Sequence, residues 1–481
     1  MRTCLLLTAC LAITGASAQD LFIRSAFQVD ENGHPALPWV TSYDQFRINA
    51  AQLKDFLATV PLHDVRGLTR FKVMELPTPD GKTVRVKIAE SPIMVPSEAA
   101  RVKIKTYKIW GLDDPYMSGR LDYGINGFHG LVHSSKGAFV IDPPKTGDVN
   151  RIITYYRHDN FQPSGMTCFT RASALTRAGI GSQGVRAFAS GTSLKTYRLA
   201  INGTGEYTNF FGSVATAEAA MATTVNRQNQ VYEVDFSLTM TIVRVRAYPD
   251  LNTDPFTGTD VFTMLGENQT VCDTDIGDAN YDVGHAVTTG AGGVAGGIPV
   301  VGISGEKAKG ATGWDVPQGD DFDIDYVAHE LGHQFGGEHT FFDCGGGNAG
   351  DSAYEPGSAT TIMGYAGICG AAFNVQPHSD AYFHSFNVDQ INVWRNDSRS
   401  GGTETPNGNL LPIVSAGPDV TVPLNTPIKL RGIASDANND PITYCWEQFD
   451  NGFGGNPTPI YRSLNPNPSP NRFLPKLATV I

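Results

Sequence analysis

Residues 329–339 read His-Glu-Leu-Gly-His-Gln-Phe-Gly-Gly-Glu-His, and no other stretch restricts the fold so tightly. Three imidazoles and a carboxylate at these spacings call for a helix that stops and doubles back. On a helix turning about 100° per residue, Ile324, Val327, Ala328, Leu331 and Phe335 share an arc of roughly 100°, an apolar stripe able to bury against a sheet. His329 and His333 point away from that stripe, about 40° apart. Side chains at i and i+4 are neighbours on a helix surface, close enough to bind one ion. Gly336 and Gly337 tolerate the backbone angles of a helix stop, and His339 then returns as a third nitrogen. Three protein ligands and one open position are the coordination of catalytic zinc. Zinc lowers the pKa of its water to about 7 and polarises a carbonyl. Glu330, on the flank of the histidine face, is placed to take a proton from that water and hand it to a leaving amine. A lone His-Glu-x-x-His recurs by chance; the added Gly336 and His339 each have their own task. Asp320, Asp321, Asp323 and Asp325 crowd the start of the same helix, where the helix dipole favours negative charge.

The 481 residues exceed one ordinary domain. A net charge of −12 argues against a nucleic-acid partner. Arg2, the short apolar run that follows and the small residues up to Ala18 predict a signal peptide over 1–18, too short to span a membrane. "LTAC" ending at Cys10 is the lesser, lipoprotein-like alternative. The protein is therefore expected to be exported, secreted or held at the cell surface, with no transmembrane segment. Export permits disulfides, and five cysteines remain after processing: Cys168, Cys272, Cys344, Cys369 and Cys445.

"KTVRVKIAES" and "GAFVIDPP" alternate as half-buried strands do, and "PTPDGKT" and "DPPKTGD" are turn signals, so residues 19–190 read as β-rich. From about 191 to 400, strands at Tyr197–Ile201, "VDFSLTMTIVRVRAY", "YDVGHAVTT" and "IPVVGISG" alternate with helices at "SVATAEAAMATTVNRQNQVYE", "ENQTVCDTDIG" and "DDFDIDYVAHELGHQFG". That order predicts an α/β domain on a mixed sheet. Residues 401–411 are polar and Gly-rich, a linker. Short alternating strands over 412–481 predict a β-sandwich, whole or incomplete within this stretch, with Cys445 in its core.

The zinc motif followed by "TTIMGYAGIC" resembles the metzincins, a clan of zinc endopeptidases. Within the clan, Lys195 to Ser400 resembles the bacterial reprolysin or adamalysin-like proteases, with the pappalysin-like branch as neighbour. The resemblance implies one catalytic zinc ion held by His329, His333 and His339, with Glu330 as general base, Met363 as a floor under the metal, and protein or peptide substrates. Structural calcium is left open. It also implies that residues 19–190 are a pro-segment. Tyr365 is either a stabiliser of the transition state or a packing residue. Residues 288–297 are either the edge strand above the cleft, where a substrate adds as a strand, or a Gly-rich loop. His285 is left out of the metal site. Cys344 and Cys369 flank the Met-turn, and a disulfide between them would tie the zinc loop to the methionine floor. Cys168 either latches zinc's fourth position or pairs with Cys272. "ASDANNDPITYCW" resembles PKD or immunoglobulin-like modules. The competing reading is a catalytically inactive adhesion or binding protein on a metzincin fold.

Overall fold

The structure, a computed structural model, describes residues 21–26, 39–65, 70–161, 165, 167–170, 190–452 and 458–475. The signal segment 1–18 lies outside them, as does most of the stretch joining the β-rich region to the α/β domain.

The β-rich region is a nine-stranded antiparallel sheet. Its strands are β1 (Phe22–Arg24), β2 (Asp44–Ile48), β3 (Lys72–Pro77), β4 (Thr83–Glu90), β5 (Lys105–Gly111), β6 (Ser118–Gly124), β7 (Gly127–His133), β8 (Phe139–Asp142) and β9 (Arg151–Tyr156). They lie in the order β1-β2-β9-β8-β7-β6-β5-β4-β3. The predicted strands "KTVRVKIAES" and "GAFVIDPP" are β4 and β8, and both turn signals fall at strand ends. Alternate residues of these strands serve two different cores. Val132, Phe139, Ile141 and Ile152 join a cluster with Leu53 and Leu57 of the helix Ala50–Ala58. Their neighbours Leu131, Val140 and Ile153 join the core of the α/β domain. The N-terminal sheet is thus a layer laid over that domain.

The second sheet contains β10 (Ser193–Gly203), β11 (Leu238–Ala247), β12 (Val283–Thr288), β13 (Gly292–Ala295), β14 (Gly310–Gly313) and β15 (Thr403–Pro406). Its order is β11-β10-β12-β14-β13, parallel except for β13, which pairs antiparallel with β14 at the edge. Residues 288–297 therefore carry an edge strand. β15, inside the stretch read as a linker, pairs antiparallel with the start of β10.

The long helix Val214–Phe236 crosses between the two sheets, capped by Ser213, whose hydroxyl accepts from Thr216 N. Covered on both sides, it buries polar residues along with apolar ones. Asn229 bonds both polar groups of the Met240 backbone. Thr223 donates to Asp122 of β6 at 2.9 Å. Arg227 is held by Asp142 and Asp323. A buried polar side chain is tolerable only when it is satisfied in this way.

Two expectations are corrected. "IPVVGISG" is a run of turns, not a strand: its residues Val300 and Val301 donate backbone N–H groups to Gln334 O at the end of the zinc-motif helix. Its apolarity reflects burial, which periodicity alone does not separate from strand formation. Residues 412–475 form, among the described residues, two two-stranded ribbons, Ile413–Ser415 with Ile433–Ser435 and Ile428–Arg431 with Asn471–Leu474. Ile413, Val414 and Ile433 of the first ribbon stay exposed while Ile428 and Leu430 of the second are half-buried, so the first ribbon contributes no sandwich core, and Cys445 is exposed rather than in a core. The segment instead meets the α/β domain through polar contacts such as Ser463 with Tyr382 and Asn465 with Asp380.

Candidate metal centre

The helix carrying the motif has two parts. Asp321–Ala328 is wound in the wide i→i+5 manner and His329–Gln334 is α-helical. Wide turns of this kind occur mostly as short insertions, frequently at functional sites. The apolar residues Ile324, Val327, Ala328, Leu331 and Phe335 are all buried, but so are His329, Glu330 and His333. The helix has no exposed face here because the N-terminal layer and the segment around Cys168 cover it. Gly336, at φ +107°, ends the helix, in a conformation only glycine adopts freely.

The three imidazoles converge. Their Nε2 atoms lie 3.1 Å (His329–His333), 2.9 Å (His333–His339) and 3.2 Å (His329–His339) apart. Nδ1 of His329 donates to Ile362 O and Nδ1 of His333 to Gly337 O, each at 2.7 Å. With those protons on Nδ1, both Nε2 atoms face the centre as bare lone pairs. Burial holds His329 neutral, its pKa pushed down to about 4, and pushes His333 and His339 well below the ordinary histidine value. Lone pairs gathered this closely repel unless a cation sits among them. A tetrahedral zinc with bonds of about 2.0–2.1 Å needs nitrogens about 3.3 Å apart, close to the spacing observed. The donor set fits zinc.

Cys168 completes the cluster: its Sγ is 3.5 Å from His333 Nε2 and shares one group with all three histidines. It forms no disulfide, and neither does Cys272. The segment reaches the centre by adding to the sheet edge. Phe169 N donates to Gly293 O, and Gly293 N to Thr167 O, so Cys168 runs parallel to β13. Thr170, which sequence reasoning did not single out, donates to Glu330 Oε2 at 3.0 Å and accepts from Ala295 N at 2.7 Å. Nothing in its residue type signals this; only the added strand places it there.

Glu330 is fully buried, and burial pushes its carboxyl up to about 8. Its other oxygen, Oε1, has no hydrogen-bond partner. Met363 is fully buried under the helix, and a Cβ at Gly332 would come 2.5 Å from its sulfur. Tyr365 stacks on Phe341 at 4.2 Å between ring centres, lies 4.7 Å from the His339 ring, and donates its hydroxyl to Cys168 O at 3.3 Å. It both packs and reaches the cleft. Cys344 and Cys369 form a disulfide. His285 stands apart, held by Gln334 and Thr312. Among the described residues no helix is long and apolar enough to cross a membrane.

Residues 193–393 match the family described as Metallo-peptidase family M12B, Reprolysin-like. No curated protein sequence matches the chain. Solved structures similar to it include metalloproteinase-II from Bacteroides fragilis, at 9% identity and a TM-score of 0.40, covering 70% of this chain and 93% of that one. A chaperone-substrate complex is similar at 16% identity and a TM-score of 0.28, over 42% of this chain and 34% of that one. At these scores neither likeness bears on function. The family match spans the converging histidines, Glu330 and Met363, and residues 193–393 are a reprolysin-like M12B metallopeptidase domain.

Proposed function

We propose that this protein is an exported zinc endopeptidase made as a zymogen. The observation that carries the reading is the meeting of three Nε2 lone pairs beside a buried carboxylate with one oxygen unpartnered. His329, His333 and His339 hold the ion. Bound zinc supplies Lewis acidity at the scissile carbonyl and makes water a better acid. Once the covering layer has left and burial no longer raises its carboxyl, Glu330 takes a proton from the attacking water at its free Oε1. The water oxygen bonds to the carbonyl carbon, and the C–N bond then breaks as Glu330 returns the proton to the leaving nitrogen. Tyr365, whose hydroxyl points at a backbone carbonyl in the cleft, donates to the carbonyl oxygen as it gains charge. Substrate adds along β13 through backbone hydrogen bonds.

Residues 19–190 act as the pro-segment. Three contacts support latency together: Cys168 at the ligand cluster, Thr170 on the general base, and the cleft edge of β13 taken by residues 167–169. Burial, with the Glu330 carboxylate beside it, raises the Cys168 pKa well above the ordinary thiol value; zinc is the partner that favours its thiolate. A non-catalytic adhesion protein on this fold would be expected to lack a member of the set, and all are in place. Chelation with 1,10-phenanthroline should abolish peptide hydrolysis by the activated enzyme. Glu330→Ala should keep one zinc per chain and lose roughly 10²- to 10⁴-fold in turnover; full activity in that variant overturns the mechanism.

A further inference from the structure

The residue one turn before the first histidine bears on which peptides are cut. Asp325 lies at i−4 from His329, so their side chains are neighbours on the helix surface. A narrow pocket joins the two: its lining includes Cys168, His329 and Tyr365 of the metal centre and, with them, Ile362, Asp325 and Ser379. Only about 20 Å³ of it is free with Cys168 in place.

The charges around Asp325 are unevenly divided between the two parts of the chain. Asp325 Oδ1 accepts from Arg157 at 2.8 Å and from Ser379 N at 3.2 Å, and Oδ2 from His378 at 2.7 Å. Arg157 also pairs with Asp320 and donates to Ser379 O at 2.8 Å. Asp320 is buried with its Oδ1 unpartnered. Asp321, 3.2 Å from His378, accepts both of its hydrogen bonds from Asn160. The α/β domain thus brings three carboxylates and one imidazole, while the guanidinium and the amide come from the end of the N-terminal sheet. When that layer leaves with Cys168, Asp325 loses its guanidinium and the pocket loses the thiol beside it. Opened to the cleft without its cation, Asp325 is a carboxylate ready to pair with another.

We infer that the mature enzyme selects a basic side chain, arginine or lysine, beside the scissile bond, and that Asp325 binds it. This rests on the peptidase reading above. In the latent chain Arg157 already shows the chemistry: a guanidinium bonded to Asp325, Asp320 and the Ser379 carbonyl. The substrate's cation restores that pairing from the cleft side, in the space that Cys168 vacates. An apolar side chain there would leave Asp325 without the cation it holds in the latent chain, with only His378 and Ser379 as partners, which discriminates against it.

The test uses the zinc-loaded full chain, activated by brief chymotryptic treatment with the added protease then irreversibly inhibited; Glu330→Ala taken through the same steps reports any carry-over. Mass spectrometry of peptide-library products should show arginine and lysine enriched at one position flanking the cut. Matched peptides with arginine or citrulline there, equal in shape but not in charge, should differ roughly 10- to 100-fold in kcat/KM, as a charge-assisted hydrogen bond predicts. Asp325→Asn should bring that ratio to within about twofold. Equal cleavage of the arginine and citrulline peptides by the wild type, or an undiminished ratio in Asp325→Asn, overturns the inference. The citrulline comparison is made on the wild type and does not depend on the variant folding. A wild type that binds one zinc and cuts nothing overturns the peptidase reading instead, and this inference with it.

Discussion

Replacing Arg157 with alanine should loosen the hold of the N-terminal sheet over the metal centre. The guanidinium side chain is 4% exposed and its partners Asp320 and Asp325 are 2% and 6% exposed, so solvent screens the pairs little. Removing one partner of a buried ion pair costs about 3–5 kcal/mol, because the remaining charge stays buried without compensation. Here two carboxylates lose their cation together, but His378 and Asn160 remain close to the cluster, which favours the lower end of that range. At about 1.4 kcal/mol per factor of ten, the population with Cys168 withdrawn should rise about 100-fold or more. Native-state alkylation with iodoacetamide, resolved by residue in mass spectrometry, reads this at the Cys168 thiol, which is 9% exposed in the closed form. Cys272, buried in the α/β domain and unpaired, is the control for general unfolding. A rate at Cys168 within about threefold of the wild type, or an equal rise at Cys272, would refute the reasoning.

Glu233 should make the same interface sensitive to acid. Burial alone would raise its carboxyl, but Arg120 and Lys108 of the N-terminal sheet outweigh burial and hold it at about 2. A depressed carboxylate contributes stability above its ordinary value of 4.5 and loses it as pH falls toward 2. Denaturant midpoints of the full chain should therefore drop between pH 5 and pH 2 by more in the wild type than in Glu233→Gln; parallel curves would exclude this. Reduction of Cys344–Cys369, which closes a loop of 25 residues, should cost about 3.5 kcal/mol by the loop-entropy relation, measured as a loss of stability against the Cys344→Ser, Cys369→Ser double variant, which should not respond to reductant. Gly332→Ala should overpack the contact with Met363, costing about 1–3 kcal/mol and weakening zinc affinity in a competitive chelator titration; unchanged affinity and unfolding would show that the methionine yields freely.

The cluster of three histidines was legible because its members are close in sequence and their spacing is set by helix geometry. His329 and His333 follow from the 100° step, the stop at Gly336 from backbone angles, and Met363 from its distance after the third histidine. β4, β8, β10, β11 and β12 were legible for a similar reason, since strand alternation is a local signal. "IPVVGISG" was not, because burial against the end of a helix leaves the same apolar composition as a strand. The strands expected to close into a C-terminal sandwich likewise had the right alternation, while Ile413, Val414 and Ile433 remain exposed. Local pattern predicts a strand and not its partner.

The identity of the converging imidazoles was thus a property of one short segment. What stands opposite them was decided by tertiary structure. Arg157 and Asp325 are 168 positions apart, and no periodicity links them. They meet because alternate residues of the N-terminal sheet pack into the core of the α/β domain and carry the end of β9 to the zinc-motif helix. The same packing buries that helix on every side and leaves its polar residues to find partners across the interface. Cys168 could be read from sequence as either a latch or a disulfide cysteine. The addition of residues 167–169 along β13 placed its sulfur among the three imidazoles, because an edge strand offers unpaired backbone groups to any chain that can reach it.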